Sequence, residues 1–148
     1  MRNKLKSRKG WAGFSLIEAT VASAIASITF AGVILGYVQS SRNAEWSSLS
    51  LAANSMALQR MEQGRACRWD PAATPVVDEL TTGNYPQQIL VLDVPVTGTN
   101  YVYATNVTSI STVSTDPPLK MIRVDTTWRF PRGKVFTNTV MTYRAPDA

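Results

Sequence analysis

Gly13-Phe14-Ser15-Leu16-Ile17-Glu18-Ala19-Thr20 sets one carboxylate, Glu18, at the threshold of an apolar run. The twenty residues from Ala19 to Val38 carry no charged side chain. At about 1.5 Å per helical residue this run is roughly 30 Å long, the hydrocarbon thickness of a bilayer, and it exceeds the ~7–15 residues of a secretory-signal core. The fragment ASAIAS, residues 22–27, imitates a cleavage site, yet apolar sequence continues beyond it through FAGVILGYV, residues 30–38. A membrane-spanning segment is therefore the stronger reading. An acid at the edge of lipid is unfavourable unless it is solvated at headgroup level or met by a cation. No basic residue lies between Ala19 and Val38, so such a cation comes from the leader, from a new N-terminus or from another chain in an assembly.

The 148 residues, 45% hydrophobic and 17% charged, have room for one modest domain plus an appendage. The formal charge of +5 points at first to an acidic partner, but its distribution says otherwise. Arg2, Lys4, Lys6, Arg8 and Lys9 stand in residues 1–13 without an acid, and the rest of the chain balances 10 basic against 10 acidic side chains. A basic N-terminus before an apolar run is a topology signal that keeps the N-terminus cytoplasmic. No nucleic-acid partner is expected for the folded part. Histidine is absent and Cys67 is the single cysteine, which removes the commonest general base, an intrachain disulfide and a zinc-type site. Cys67 reads as a small buried hydrophobe.

KGWAGFSLIEATVA, residues 9–22, resembles the N-terminal processing and methylation signal of type IV prepilins and of type II secretion pseudopilins. That pattern is a short basic leader ending in Gly, then Phe, Ser or Thr, Leu, Ile or Val, and Glu, followed by an uncharged helix. Gly13, Phe14, Ser15, Leu16, Ile17 and Glu18 match it position by position. The leader departs in one respect, placing Gly10, Trp11 and Ala12 between Lys9 and Gly13 where many relatives carry a basic residue nearer the cut. The resemblance implies that a prepilin peptidase/N-methyltransferase cleaves after Gly13 and methylates the amino group of Phe14. It also implies that Glu18 pairs with the N-terminal amine of a neighbouring subunit, which supplies the missing cation. In a low-dielectric bundle such a pair enforces register, because one unpaired charge is costly.

No proline occurs before Pro71, and the stretch after Val38 stays rich in helix formers, so one continuous helix is expected from about Phe14 to Ala66. The chain is thereby divided into a leader (1–13), an apolar membrane or filament-core helix (14–38), its amphipathic continuation (39–70) and a C-terminal sheet region (71–148). Small residues recur at four-residue spacing, among them Gly32 and Gly36, which permit close approach of helix backbones. Trp46, Leu49, Ala53, Met56, Ala57 and Met61 share one arc, interrupted by Arg60, and this stripe is expected to pack on the chain's own sheet. Leu51 and Leu58 form a second ridge for a neighbour. Asp70 before Pro71 and the run DPAATP read as a loop.

Beyond Pro71 the period changes to alternation. Leu90, Leu92, Val94 and Val96 give one strand, and Tyr101, Tyr103, Thr105 and Val107 share a side of a second. Ile122, Val124, Thr126, Trp128 and Phe130 face away from Arg123, Asp125, Thr127 and Arg129, and the turn Pro131-Arg132-Gly133-Lys134 leads into Val135–Tyr143 as an antiparallel hairpin. The expected fold is α+β, with three or four antiparallel strands under the second half of a long N-terminal helix, which is the plan of type IV pilin-like proteins. The proline that major subunits commonly carry in the apolar helix is absent, so the resemblance runs to minor subunits, and the absence of the pilin cysteine pair argues against a pilus-surface adhesive loop.

Catalytic residues, cofactors and metals are not expected. Asp78 and Glu79 read as a solvated connection, Asp78, Asp93 and Asp116 lack the spacing of a calcium loop, and no phosphate loop or nucleophile elbow occurs. Asn106-Val107-Thr108 fits a glycosylation acceptor, with a surface turn or strand residue as its plainer role. The expected role is a structural subunit, a minor pseudopilin of a type II secretion pseudopilus in the bacterial inner membrane, with the C-terminal domain periplasmic. The expected partners are the peptidase and other pseudopilins or pilins in a hetero-oligomeric filament. A minor pilin of a type IV or competence pilus is the near alternative. A monomeric single-pass anchored binding domain is the alternative of another class.

Overall fold

The computed structural model describes residues 15–92, 101–130 and 133–147. Val94, Val96, Asp93, Pro131 and Arg132 lie outside them. Helix α1 runs Leu16–Ala66 without interruption, followed by strands β1 (Trp69–Asp70), β2 (Val77–Asp78), a 3-10 turn (Thr82–Asn84), β3 (Gln88–Val91), β4 (Tyr103–Thr115), β5 (Pro118–Arg129) and β6 (Val135–Arg144). The chain divides after Arg42 into two compact units, so α1 contributes its first half to one and its second half to the other.

In the second unit β3, β4, β5 and β6 form one antiparallel sheet in sequence order, and β1 and β2 pair separately. The α+β architecture and the helix laid on the sheet are as the alternation of residues 122–130 and the stripe of residues 49–61 require. Leu49, Ala53, Ala57, Met61 and Gly64 are buried along one side of α1. Leu49 and Ala53 pack with Leu92, Val102, Ala104 and Trp128, while Ala57 and Met61 pack with Trp69, Leu80, Ile122 and Val124. The helix passes close to β5 at Gly64, where a Cβ would lie 3.4 Å from two carbons of Ile122. A sheet this size has a thin core alone, and the helix stripe completes it.

Trp46 departs from the expected stripe. It is 42% exposed and makes an edge-on ring contact with Phe136 at 5.8 Å. Leu51 and Leu58 are exposed as the second ridge requires. On β4 the shared side of Tyr103 and Val107 faces solvent, and Val102, Ala104, Asn106 and Thr108 face inward. Asn106 is only 2% exposed and accepts the Thr126 hydroxyl from β5, which removes it from any surface role, glycosylation included. Alternation says which residues share a side of a strand; the partner layer decides which side is covered.

Helix α1 ends at Ala66, where the helix is expected to end, so residues 67–70 of the 39–70 segment are not helical. Trp69 is pulled into the core and pairs with Asp78, and the Asp70 carboxylate accepts the Ala72 and Ala73 N–H groups at 3.0 and 3.1 Å, forming the turn that follows. The connection holding Asp78 is likewise not simply solvated. Lys120 Nζ donates to Asp78 Oδ2 at 2.6 Å and to the Leu80 carbonyl at 2.8 Å, and lies over the Trp69 ring at 4.9 Å. A buried ammonium needs such partners, which is why an acid in a polar loop is drawn inward.

The chain end returns to the same corner. Asp147 Oδ2 accepts the Trp69 N–H at 2.8 Å, the Asp147 N–H donates to the Trp69 carbonyl at 2.8 Å, and Arg144 donates to Asp147 Oδ1 at 2.5 Å. The Trp69 backbone bond, helped by Arg144 and opposed by desolvation, holds the Asp147 carboxyl below the ordinary aspartate range.

Candidate assembly helix and its acidic threshold

The first half of α1 holds residues that are apolar and exposed: Leu16, Ile17, Val21, Ile25, Ile28 and Phe30 all present their side chains to the surroundings. Its best 18-residue window has a mean hydropathy of 2.0 with none of it buried, so this helix is long and apolar enough to cross a membrane. Beside the phenol of Tyr37, four aliphatic hydroxyls interrupt the run, and each of these four is satisfied within the helix. Thr20 donates to the Ile17 carbonyl at 2.9 Å, Ser23 to Thr20 at 2.9 Å, Ser27 to Ser23 at 2.7 Å and Thr29 to Ile25 at 2.9 Å. No donor among these four asks for water, which is what a hydrocarbon setting demands of polar side chains. A Cβ placed at Gly32 or Gly36 would meet nothing within 4 Å, so within this chain both glycines face open space.

Glu18 has a partner that the residue-by-residue reading missed. Its Oε2 accepts the Ser15 N–H at 2.9 Å, and the Glu18 N–H donates to Ser15 Oγ at 3.3 Å. This reciprocal pair is a capping box: Ser at the cap and Glu three residues on satisfy two backbone donors that the first turn leaves unpaired. The signal was present as Ser-x-x-Glu in Ser15-Leu16-Ile17-Glu18. The negative charge also complements the positive end of the helix dipole. Gly13 and Phe14, the expected cleavage and methylation positions, lie outside the described residues.

Compared with protein-family models, with curated proteins and with solved structures, the chain matches none.

A second polar group of side chains lies in the other unit, where Arg60 was expected only to interrupt an apolar stripe. Arg60 is 8% exposed. Its Nη1 donates to Gln63 Oε1 and its Nη2 to the Pro86 carbonyl, both at 2.9 Å, and the guanidinium sits 5.1 Å from the centre of the Tyr85 ring. Its Nε is buried without a hydrogen-bond partner. The contacts to Tyr85 and Pro86 span more than twenty residues and have no local signature in the sequence. Beside it, the half-buried Cys67 donates to the Gly64 carbonyl at 3.1 Å and Arg144 Nη1 reaches that carbonyl at 3.4 Å, placing a cation at the end of the helix dipole.

Burial, and after it the contact with Cys67, push the Tyr85 phenol up to about 12, against the opposing charges of Arg60 and Arg144. Because the folded value is raised, the contribution is complete below the ordinary tyrosine range and is lost as pH climbs through about 12. Absorbance titration of phenolate is expected to show one late step near 12 that Tyr85→Phe removes. A titration unchanged by that substitution would reject the buried placement of Tyr85.

Proposed function

We propose that this chain is a filament-building subunit of the type IV pilin-like class, a minor pseudopilin of a type II secretion pseudopilus. In this reading it is anchored in the bacterial inner membrane with its N-terminus cytoplasmic and its sheet domain periplasmic. The observation that carries the reading is a single helix with two characters. Its first half is apolar, exposed and internally satisfied at the hydroxyls of Thr20, Ser23, Ser27 and Thr29, and its second half packs one side against a four-stranded antiparallel sheet. An apolar helix of this length needs lipid or other helices around it, and a filament that extracts subunits from the membrane provides each in turn. The match of residues 13–18 to the prepilin signal supports the same role. In that role prepilin peptidase and other pilin-like subunits are the partners, and the near alternative is a minor pilin of a type IV or competence pilus. No catalytic step is assigned to the chain.

The capping box favours a second reading, a monomeric single-pass anchor, because it gives Glu18 a partner within its own chain. Intact-mass analysis of protein from its native host separates the two. The filament reading expects a mature chain beginning at N-methylated Phe14. Retention of residues 1–13 would reject it.

A further inference from the structure

Between α1 and the β3–β4 pair lies a partly open cavity of about 150 Å³, where Gln59, Arg60 and Gln63 of the helix, Gln88 of β3 and Asn106 of β4 supply the polar lining and Met56 and Leu90 the apolar part. We propose that this cavity is a binding site for a carboxylate held by Arg60, with the surrounding carboxamides as supporting donors. The inference is independent of the assembly reading.

The charge balance at Arg60 is its basis. A guanidinium has five N–H donors. Here one goes to a carboxamide oxygen, one to a backbone carbonyl, and Nε has no partner. Both acceptors are neutral. Among the described residues no Asp or Glu forms an ion pair with Arg60. The Tyr85 ring offsets part of the charge but supplies no counterion. A nearly buried cation in this condition is strongly unfavourable, and an anion that removes it from that condition gains charge-assisted hydrogen bonds.

The lining selects the kind of anion. The cavity has room for a carboxylate on a short stem. One guanidinium neutralises a monoanion; a phosphate dianion would leave a negative charge uncompensated. The planar guanidinium fork fits the two oxygens of a carboxylate, and Gln59, Gln63 and Gln88 bring neutral N–H donors that add no further charge. Asn106 has the acceptor end of its amide engaged by Thr126.

The test uses the full chain in non-ionic detergent, labelled with ¹⁵N-arginine, with sodium acetate titrated against sodium chloride at constant ionic strength. The expected result is a saturable shift of the Arg60 Nε–H resonance and a parallel saturable rise in Tm, both lost in Arg60→Gln. Gln88→Leu keeps the guanidinium and is expected to weaken acetate binding roughly fivefold, so the site is tested even if Arg60→Gln does not fold. A response to acetate no different from chloride, or one that persists in Arg60→Gln, overturns the proposal. N-acetylglutamate α-amide separates the two sources of a carboxylate. Tighter binding than acetate assigns the site to an acidic side chain of a partner protein, and weaker binding assigns it to a free small carboxylate. N-acetylglutamine α-amide binding as tightly as the glutamate compound also overturns the proposal.

Discussion

Glu18→Gln is expected to preserve the start of α1 and to abolish crosslinking between the apolar helices of neighbouring subunits. The two roles open to this side chain differ in what they need. The cap bond to the Ser15 N–H requires only a carbonyl-type oxygen at that position, and glutamine supplies one. Pairing with the amine of an adjoining chain requires the negative charge. Removing one member of a buried ion pair costs about 3–5 kcal/mol, a loss of roughly a hundred- to several-thousand-fold in association. Glu18→Ala removes both interactions, and the local part of that loss is only about 0.3–1 kcal/mol. Cysteine crosslinking in native membranes, with helix content followed by circular dichroism, therefore orders the variants. Under the filament reading Gln and Ala are equally deficient in crosslinks. Wild-type crosslinking by Glu18→Gln would mean that the carboxylate serves its own helix, and the single-pass anchor would be the better account.

Trp128→Ala is expected to destabilise the sheet domain by about 3–5 kcal/mol, the range for truncating a large buried aromatic. Trp128 is 2% exposed and fills the space between α1 and the sheet beside Leu49 and Ala53. Its ring stacks on Phe136 at 5.0 Å, and its Nε1–H donates to Asn138 Oδ1 at 2.8 Å. Asn138 in turn donates to the Ser50 carbonyl at 3.3 Å, so the truncation also loosens a polar tie between β6 and the helix. Against a total stability of about 5–15 kcal/mol, the loss takes a large part of what holds a domain this small. Trp46→Ala is the control. Its main partner is one edge-on ring, worth about 0.5–1.5 kcal/mol. Urea midpoints of the two variants in the same detergent measure the difference. Equal effects would contradict the packing of the helix on the sheet through Trp128.

Most of the architecture was legible because its causes are local. The uncharged run from Ala19 to Val38 and the absence of proline before Pro71 are sufficient for a long helix, since backbone bonding and helix propensity act within a few residues. Alternation in residues 122–130 and Gly133, at a positive φ of 90°, mark the β5–β6 hairpin in the same way. The helix cap is equally local, written as Ser15-x-x-Glu18, where the acid serves its own backbone as well as facing lipid.

The amino-acid order by itself thus determined the apolar helix, its continuation as a stripe and the strand pattern that covers it, because hydropathy and period accumulate along neighbouring residues. Only the tertiary structure decided that Arg60 is buried beside Tyr85, that Asp78 pairs with Lys120 across 42 residues and that Asn106 turns inward to Thr126. Whether a polar side chain is exposed or enclosed depends on which distant strand lies over it, and that is settled by the packing of layers, which no short window of sequence records.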